Sequence, residues 1–212
     1  AGISDVSVSF YAAEYMAQPK VCARFDSIAR GNEVTAELTA LFSDQIMSLS
    51  EATRSQAEII VDYRIFGAKR QARVPVPLRI QHRNAMTWDD DRKAAAFVSG
   101  TDPAVLWFSK YVASVVRDRK RTGVDQKLQY AIGIFETMRL YGISYVVDPS
   151  SPYADKSSAE ASVDYLQYPH QTIFYRGGDC DDLSILYCSL LTSLGIETAF
   201  ITIPGHIYMA FA

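Results

Sequence analysis

The sequence predicts an α+β chain in two parts, a β-sandwich followed by a domain of helices closed by a strand pair. Three observations predict it. As far as His82 the apolar residues alternate with a period of two. From Asn84 onward they recur at three and four residues, the period of a helix. Two short apolar runs around Pro204-Gly205 then end the chain. The boundaries that follow are 1–83 for the sandwich, 84–124 for a helical linking region and 125–212 for an α+β domain.

The strands come first. Val6, Val8 and Phe10 alternate with polar residues, and Val21 to Phe25 forms a weaker run. Val34, Ala36, Leu38 and Ala40 make the next series. Ala57, Ile59, Val61, Tyr63 and Ile65 make a longer one, and Val74, Val76, Leu78 and Ile80 the last. Alternation puts one face on a core and the other in water. About five strands at this spacing suggest a sandwich of immunoglobulin type, one or two strands short. Phe66 to Arg70 suits a hairpin connection. Pro75 and Pro77 lack a donor, so their strand belongs at an edge. Cys22 reads as a small core residue.

The helices follow. Thr87 to Ala96 resembles a capped helix start with its carboxylates in the first turn. Asp102-Pro103 supplies an N-cap and an N1 proline for the next helix, with Val105, Phe108, Val112 and Val116 as its apolar face. The basic run Arg117-Asp118-Arg119-Lys120-Arg121 suits a helix C-terminus. A further helix spans Asp125 to Tyr141, with Leu128, Ala131, Ile132, Phe135 and Met138 as its apolar stripe and Gly142 as terminator. Val147 to Ser158 reads as a long loop, a place where function concentrates.

Composition excludes several classes. A net charge of −3 gives no electrostatic reason to expect nucleic acid. No apolar run reaches membrane-spanning length. Three cysteines, Cys22, Cys180 and Cys188, do not make a disulfide framework. The aspartates of 89–91 lack the alternating oxygen ligands of a calcium loop. No paired Cys or His spacing supports zinc, so neither a metal nor another cofactor is expected.

The chemistry sits in Tyr175-Arg-Gly-Gly-Asp-Cys-Asp-Asp-Leu183 and Gly205-His206. Asp179 is a good N-cap, with Asp182 three residues on as in a capping box. Leu183, Leu186, Leu190, Leu191 and Leu194 then give a buried stripe that ends at Gly195. Cys180 falls in the first turn, where the helix dipole stabilises a thiolate. Asp179, Asp181 and Asp182 oppose that thiolate by like charge. A nucleophilic Cys180 therefore needs a cationic partner, and His206, at the start of a strand, is the candidate. Backbone N–H groups at the helix start would serve as an oxyanion hole.

Gly178-Asp179-Cys180-Asp181-Asp182-Leu183, the helix ending Leu194-Gly195-Ile196 and Gly205-His206 resemble the transglutaminase-like family of the papain-like cysteine superfamily. The resemblance covers about Asp125 to Ala212. The first part is similar to the immunoglobulin-like domains that precede such modules in bacterial envelope proteins, including those of spirochaetes. The resemblance implies Cys180 as nucleophile, His206 as general base and an Asp or Asn on the next strand to orient it. No residue after His206 fills that third place, so the domain reads as incomplete at its C-terminus, with room for a further domain in the parent chain. Support for the oxyanion falls to Gln167 or Gln171, and Asp179 and Asp182 complete the candidate set. The implied partner is a protein or a peptidoglycan peptide in the periplasm or elsewhere in the envelope. Two readings stay open: acyl transfer or amide hydrolysis through a thioester, and an inactive module kept for binding or scaffolding.

Overall fold

The computed structural model describes residues 1–119, 121–147 and 163–212. The loop expected from Val147 to Ser158 lies, from residue 148 on, outside the described residues. Helix and strand are present in nearly equal measure, 33% and 34%, with antiparallel pairing throughout the longer strands. That is the pattern of a mixed chain whose strands pair locally, as in α+β proteins. The chain divides into two compact units, Ala1–Arg83 and Asn84–Ala212. The region read as a helical link, 84–124, lies within the second unit.

The first unit holds one antiparallel sheet. Its strands are β1 (Ile3–Tyr11), β2 (Lys20–Ile28), β3 (Thr53–Ile65) and β4 (Ala68–Ile80), in the order β2-β1-β3-β4. A second sheet is absent from this unit, and the run from Val34 to Ala40 forms no strand. Its alternation is real, but two of its four apolar positions are alanines, which bury little area. Val34 and Leu38 stay exposed. What holds the segment is Ala40 against the core of Phe10, Ala12, Met16 and Ala57, and the Thr39 N–H donating to Cys22 Sγ at 3.4 Å. β4 is an edge strand, as its prolines require.

The β3–β4 hairpin closes on two residues, Phe66 and Gly67, with φ of 50° and 76°. Positive φ at both positions is the type I′ turn that matches strand twist. Gly67 adopts it freely. Phe66 does not, and its ring is 88% exposed with nothing to offset the strain. Phe66→Asn is expected to stabilise the first unit by up to about 1 kcal/mol. A urea midpoint followed by β-sheet circular dichroism checks this, and an unchanged or lower midpoint counts against the strain.

The second unit is built around one helix. Its elements are β5 (Ala85–Thr87), α1 (Pro103–Asp118), α2 (Gln126–Tyr141), β6 (Ser144–Tyr145), β7 (Val163–Tyr165), α3 (Pro169–Tyr175), β8 (Gly177–Gly178), α4 (Cys180–Thr192), β9 (Thr198–Ile203) and β10 (His206–Phe211). α4 is apolar around most of its circumference, which buries it on several sides. Leu186, Leu190 and Leu191 pack with Val105, Phe108 and Val112 of α1 and Ala131, Ile134 and Met138 of α2. Ile185, on another side, packs with Met86, Ala94, Phe97 and Leu166.

Local signals place most of these elements. The Asp102 carboxylate accepts the Ala104 N–H, the Asp125 carboxylate accepts the Leu128 N–H, and Gly142 ends α2 at φ 90°. Three expectations change. The helix start expected at Thr87 is instead strand β5 followed by a 3₁₀ segment, Asp91–Phe97, capped by Asp90. Pairing with β7 and the Trp88 indole donating to Asp164 at 2.7 Å hold this stretch extended. The stripe of α2 turns by one position: Ala131, Ile134 and Met138 go inside, while Leu128, Ile132 and Phe135 are exposed. The run from Glu197 to Ile203, expected to be buried, is largely exposed as β9; Phe200 packs on the core from it, and Ile207 and Met209 are the inward residues of β10.

Candidate functional site

The approach to the cysteine is fixed by backbone. α3 opens at Pro169 with Gln171 at its third position and ends at Arg176, which has φ 57°. The Arg176 guanidinium lies 4.6 Å from the Tyr141 ring centroid. Gly177 and Gly178 then pair in parallel with Ser144 and Tyr145, and the Val146 N–H donates to the Gly178 carbonyl at 2.9 Å. No side chain fits at Gly178, where a Cβ would stand 2.5 Å from Asp182 Cβ. This close approach delivers the chain to the first turn of α4.

That turn is only partly the capping box its sequence suggests. The Asp182 carboxylate reaches back to the Asp179 N–H, the expected return bond. Asp179 occupies the N-cap position, but its side chain makes no capping bond. Asp182 Oδ1 also accepts the Gln167 N–H at 2.7 Å. The Asp182 N–H in turn donates to Asp181 Oδ1 at 2.8 Å.

Three buried carboxylates therefore meet. Asp179, Asp181 and Asp182 are each less than a tenth exposed, with oxygens within 4.8 Å of one another. Asp164 of β7, also buried, adds its charge from the side. Burial pushes the Asp181 carboxyl far above the usual range, and a hydrogen bond with Asp179 adds to the rise. Burial pushes Asp182 up to about 7, against the pull of the Gln167 N–H. Burial thus favours the protonated forms of Asp181 and Asp182.

Cys180 is the first residue of α4 and is half-buried. Burial pushes its thiol above the ordinary range. The Ile207 backbone N–H donates to Sγ and opposes that rise, and the charges of Asp181 and Asp179 add to it. The Tyr145 phenol is close enough to feel a Cys180 thiolate, and burial together with that charge raises it.

His206 begins β10, and Ile207 follows with 1% exposure. Ile207 and Met209 lie on the strand face that meets the core. Alternation then puts His206 and Tyr208 on the opposite face, where both are exposed and their rings stack at 6.0 Å between centroids. The amide that bonds the sulfur follows His206 directly, so His206 Cα is about 2.4 Å from its nitrogen. The backbone of the histidine is at the cysteine while its ring lies on the outer face of the strand.

The two glutamines part company. Gln171 Oε1 accepts from Asn84 Nδ2 at 2.6 Å and from the Tyr168 N–H at 2.8 Å, so its amide holds α3 in place. Gln167 Nε2 donates to the Gly177 carbonyl at 3.2 Å, while its buried Oε1 accepts no bond among the described residues. Gln167 also lines an open cavity of about 300 Å³ with Val146, Tyr165, Tyr175, Asp179 and Asp182. Cys180 is not among the residues lining that cavity.

Sequence reasoning missed Tyr145, Asp164 and the Ile207 amide. Tyr145 and Asp164 sit in strands of two and three residues, too short to show a period. A backbone N–H has no signature in sequence at all. No family model, no curated protein and no solved structure matches the chain.

Proposed function

We propose that the second unit is a transglutaminase-like cysteine module that performs acyl transfer or amide hydrolysis on protein or peptidoglycan peptides of a bacterial envelope. The observation that carries the reading is the Ile207 amide on Cys180 Sγ. It brings the backbone of His206 to the thiol, and the reading requires the ring to leave the outer face of the strand and reach Sγ. In this reading His206 takes the thiol proton as Sγ attacks a carboxamide or peptide carbonyl. A thioester forms, the carbon–nitrogen bond breaks, and the proton leaves with the amine. Water or a second amine then resolves the thioester. The resemblance of the first part to the immunoglobulin-like domains that precede such modules in bacterial envelope proteins supports the location. The four strands of the first unit fit one sheet of an immunoglobulin-like domain.

Iodoacetamide, a thiol-alkylating agent that carries a carboxamide, tests this at neutral pH. Cys180 is expected to label at least about tenfold faster than half-buried Cys22, and His206→Ala to remove most of the advantage. Equal, slow labelling of Cys180 and Cys22 overturns the enzyme reading. It would favour the second reading, an inactive module kept for binding or scaffolding. That alternative draws on the outward face of His206 and on the raised thiol.

A further inference from the structure

α1 and α2 share a face that the core leaves open. Trp107, Tyr111 and Val115 follow one another at four-residue spacing along α1, with exposures of 62%, 63% and 39%. Leu128, Ile132 and Phe135 form the corresponding row on α2, at 42%, 53% and 59%. The core side of α1 is a different set, Val105, Phe108 and Val112. Val115 and Ile132 line a single apolar cavity of about 240 Å³ between the helices, so the two rows lie on one side. Gly133 permits the close approach, since a Cβ there would stand 2.6 Å from Val116 Cγ2. Apolar faces of this size on a folded unit mark interaction sites.

The same cavity is rimmed by Arg119 and Arg121. Among the described residues neither guanidinium has a carboxylate partner. The backbone at Arg121 is held in place. Buried Gln129 accepts the Arg121 N–H at 2.9 Å and donates to the carbonyls of Arg121 and Val124 at 3.0 and 2.8 Å. Arg119 and Arg121 of the basic run thus give the apolar groove a positive end. Trp, Tyr and Arg, the types that dominate binding energy at interfaces, are all present.

We infer that this groove receives an amphipathic helix of a partner protein, with its apolar side on the two rows and its carboxylates against Arg119 and Arg121. Charge decides the occupant: an apolar trough with cations at one end favours an acidic helix over a neutral or basic one. From Trp107 to Arg119 is about 18 Å along α1, the length of three to four helical turns.

The probe is a synthetic amphipathic helix of leucine and glutamate, with a leucine and lysine version as its counterpart, titrated into the full chain. Binding of the glutamate peptide is expected to shift Trp107 emission to the blue, an effect lost in Trp107→Phe, and to weaken as salt rises. The double variant Arg119→Glu/Arg121→Glu, at exposed positions, is expected to lose about tenfold in affinity for the glutamate peptide and to gain for the lysine one. Equal binding of the two peptides, or none, overturns the inference. So does a concentration-dependent doubling of mass that Ile132→Lys abolishes, which would assign the face to a second copy. Binding to anionic vesicles in preference to the glutamate peptide overturns it as well.

Discussion

Replacing Gly178 by alanine is expected to destabilise the second unit by about 1–3 kcal/mol, a large effect for one methyl group. The new Cβ would meet Asp182 Cβ at 2.5 Å and Asp182 Oδ2 at 2.9 Å. Neither side of this contact can yield easily. Gly178 is tied by its carbonyl to the Val146 N–H and by register to Tyr145. Asp182 is tied by its carboxylate to the N–H groups of Gln167 and Asp179. Moving Asp182 breaks bonds to a buried group, and moving Gly178 opens the β6–β8 pair. Gly177→Ala is the control. Its Cβ would meet Val146 Cγ2, a side-chain methyl, at 3.0 Å, and its cost is expected to stay below about 1 kcal/mol. Urea midpoints followed by helical circular dichroism separate the two. Equal losses would show that the Asp182 contact is not the cause.

Elements with their own end signals were legible. Asp102-Pro103 and Asp125 with Gly142 each mark a helix by groups that act within one turn, so no distant partner is needed. The long hairpin from Thr53 to Ile80 was legible because its two strands are neighbours in sequence. Val34 to Ala40 failed for a different reason: with alanine at two of its four apolar positions and Val34 and Leu38 exposed, it buries too little area to hold a strand. On α2 the apolar residues outnumber the positions that one core face can take. The period was right, and the choice between Ile134 and Ile132 as the inward residue fell to the packing against α1 and α4.

The candidate site divides along the same line. The position of Cys180 in a first helical turn follows from local sequence. The burial of the aspartates beside it does not, because it depends on Gln167 and Asp164, residues brought in from other elements. Read as a string, Asp179, Asp181 and Asp182 are a solvated cap. Folded, all three are buried, and burial shifts Asp181 and Asp182 toward their protonated forms.

That change has a measurable sign. Asp182 rises from 3.8 to about 7 because burial disfavours its ionised form. In the unfolded chain it ionises near its ordinary value. Between those limits the folded state holds a proton that the unfolded state has lost. Stability from this group is therefore full below about pH 4 and falls as pH rises through about 7. At about 1.4 kcal/mol per pH unit, the loss from pH 5 to 8 is roughly 3 kcal/mol. Asp181 is raised for the same reason, with its hydrogen bond to Asp179 added, and it extends the fall to higher pH. The groups facing the pair are Asp179 and Cys180 on the same turn, Asp164 on β7 and Tyr145 on β6. None is a cation, and among the described residues Asp179, Asp181 and Asp182 enter no salt bridge. The second unit is thus expected to be more stable at pH 5 than at pH 8, by several kilocalories. Asp182→Asn keeps an oxygen for the Gln167 N–H and cannot ionise, so it is expected to flatten the dependence. Urea midpoints at the two pH values, for the native chain and this variant, supply the check. Equal or greater stability of the native chain at pH 8 would mean that water or a counter-ion reaches these carboxylates and lets them ionise.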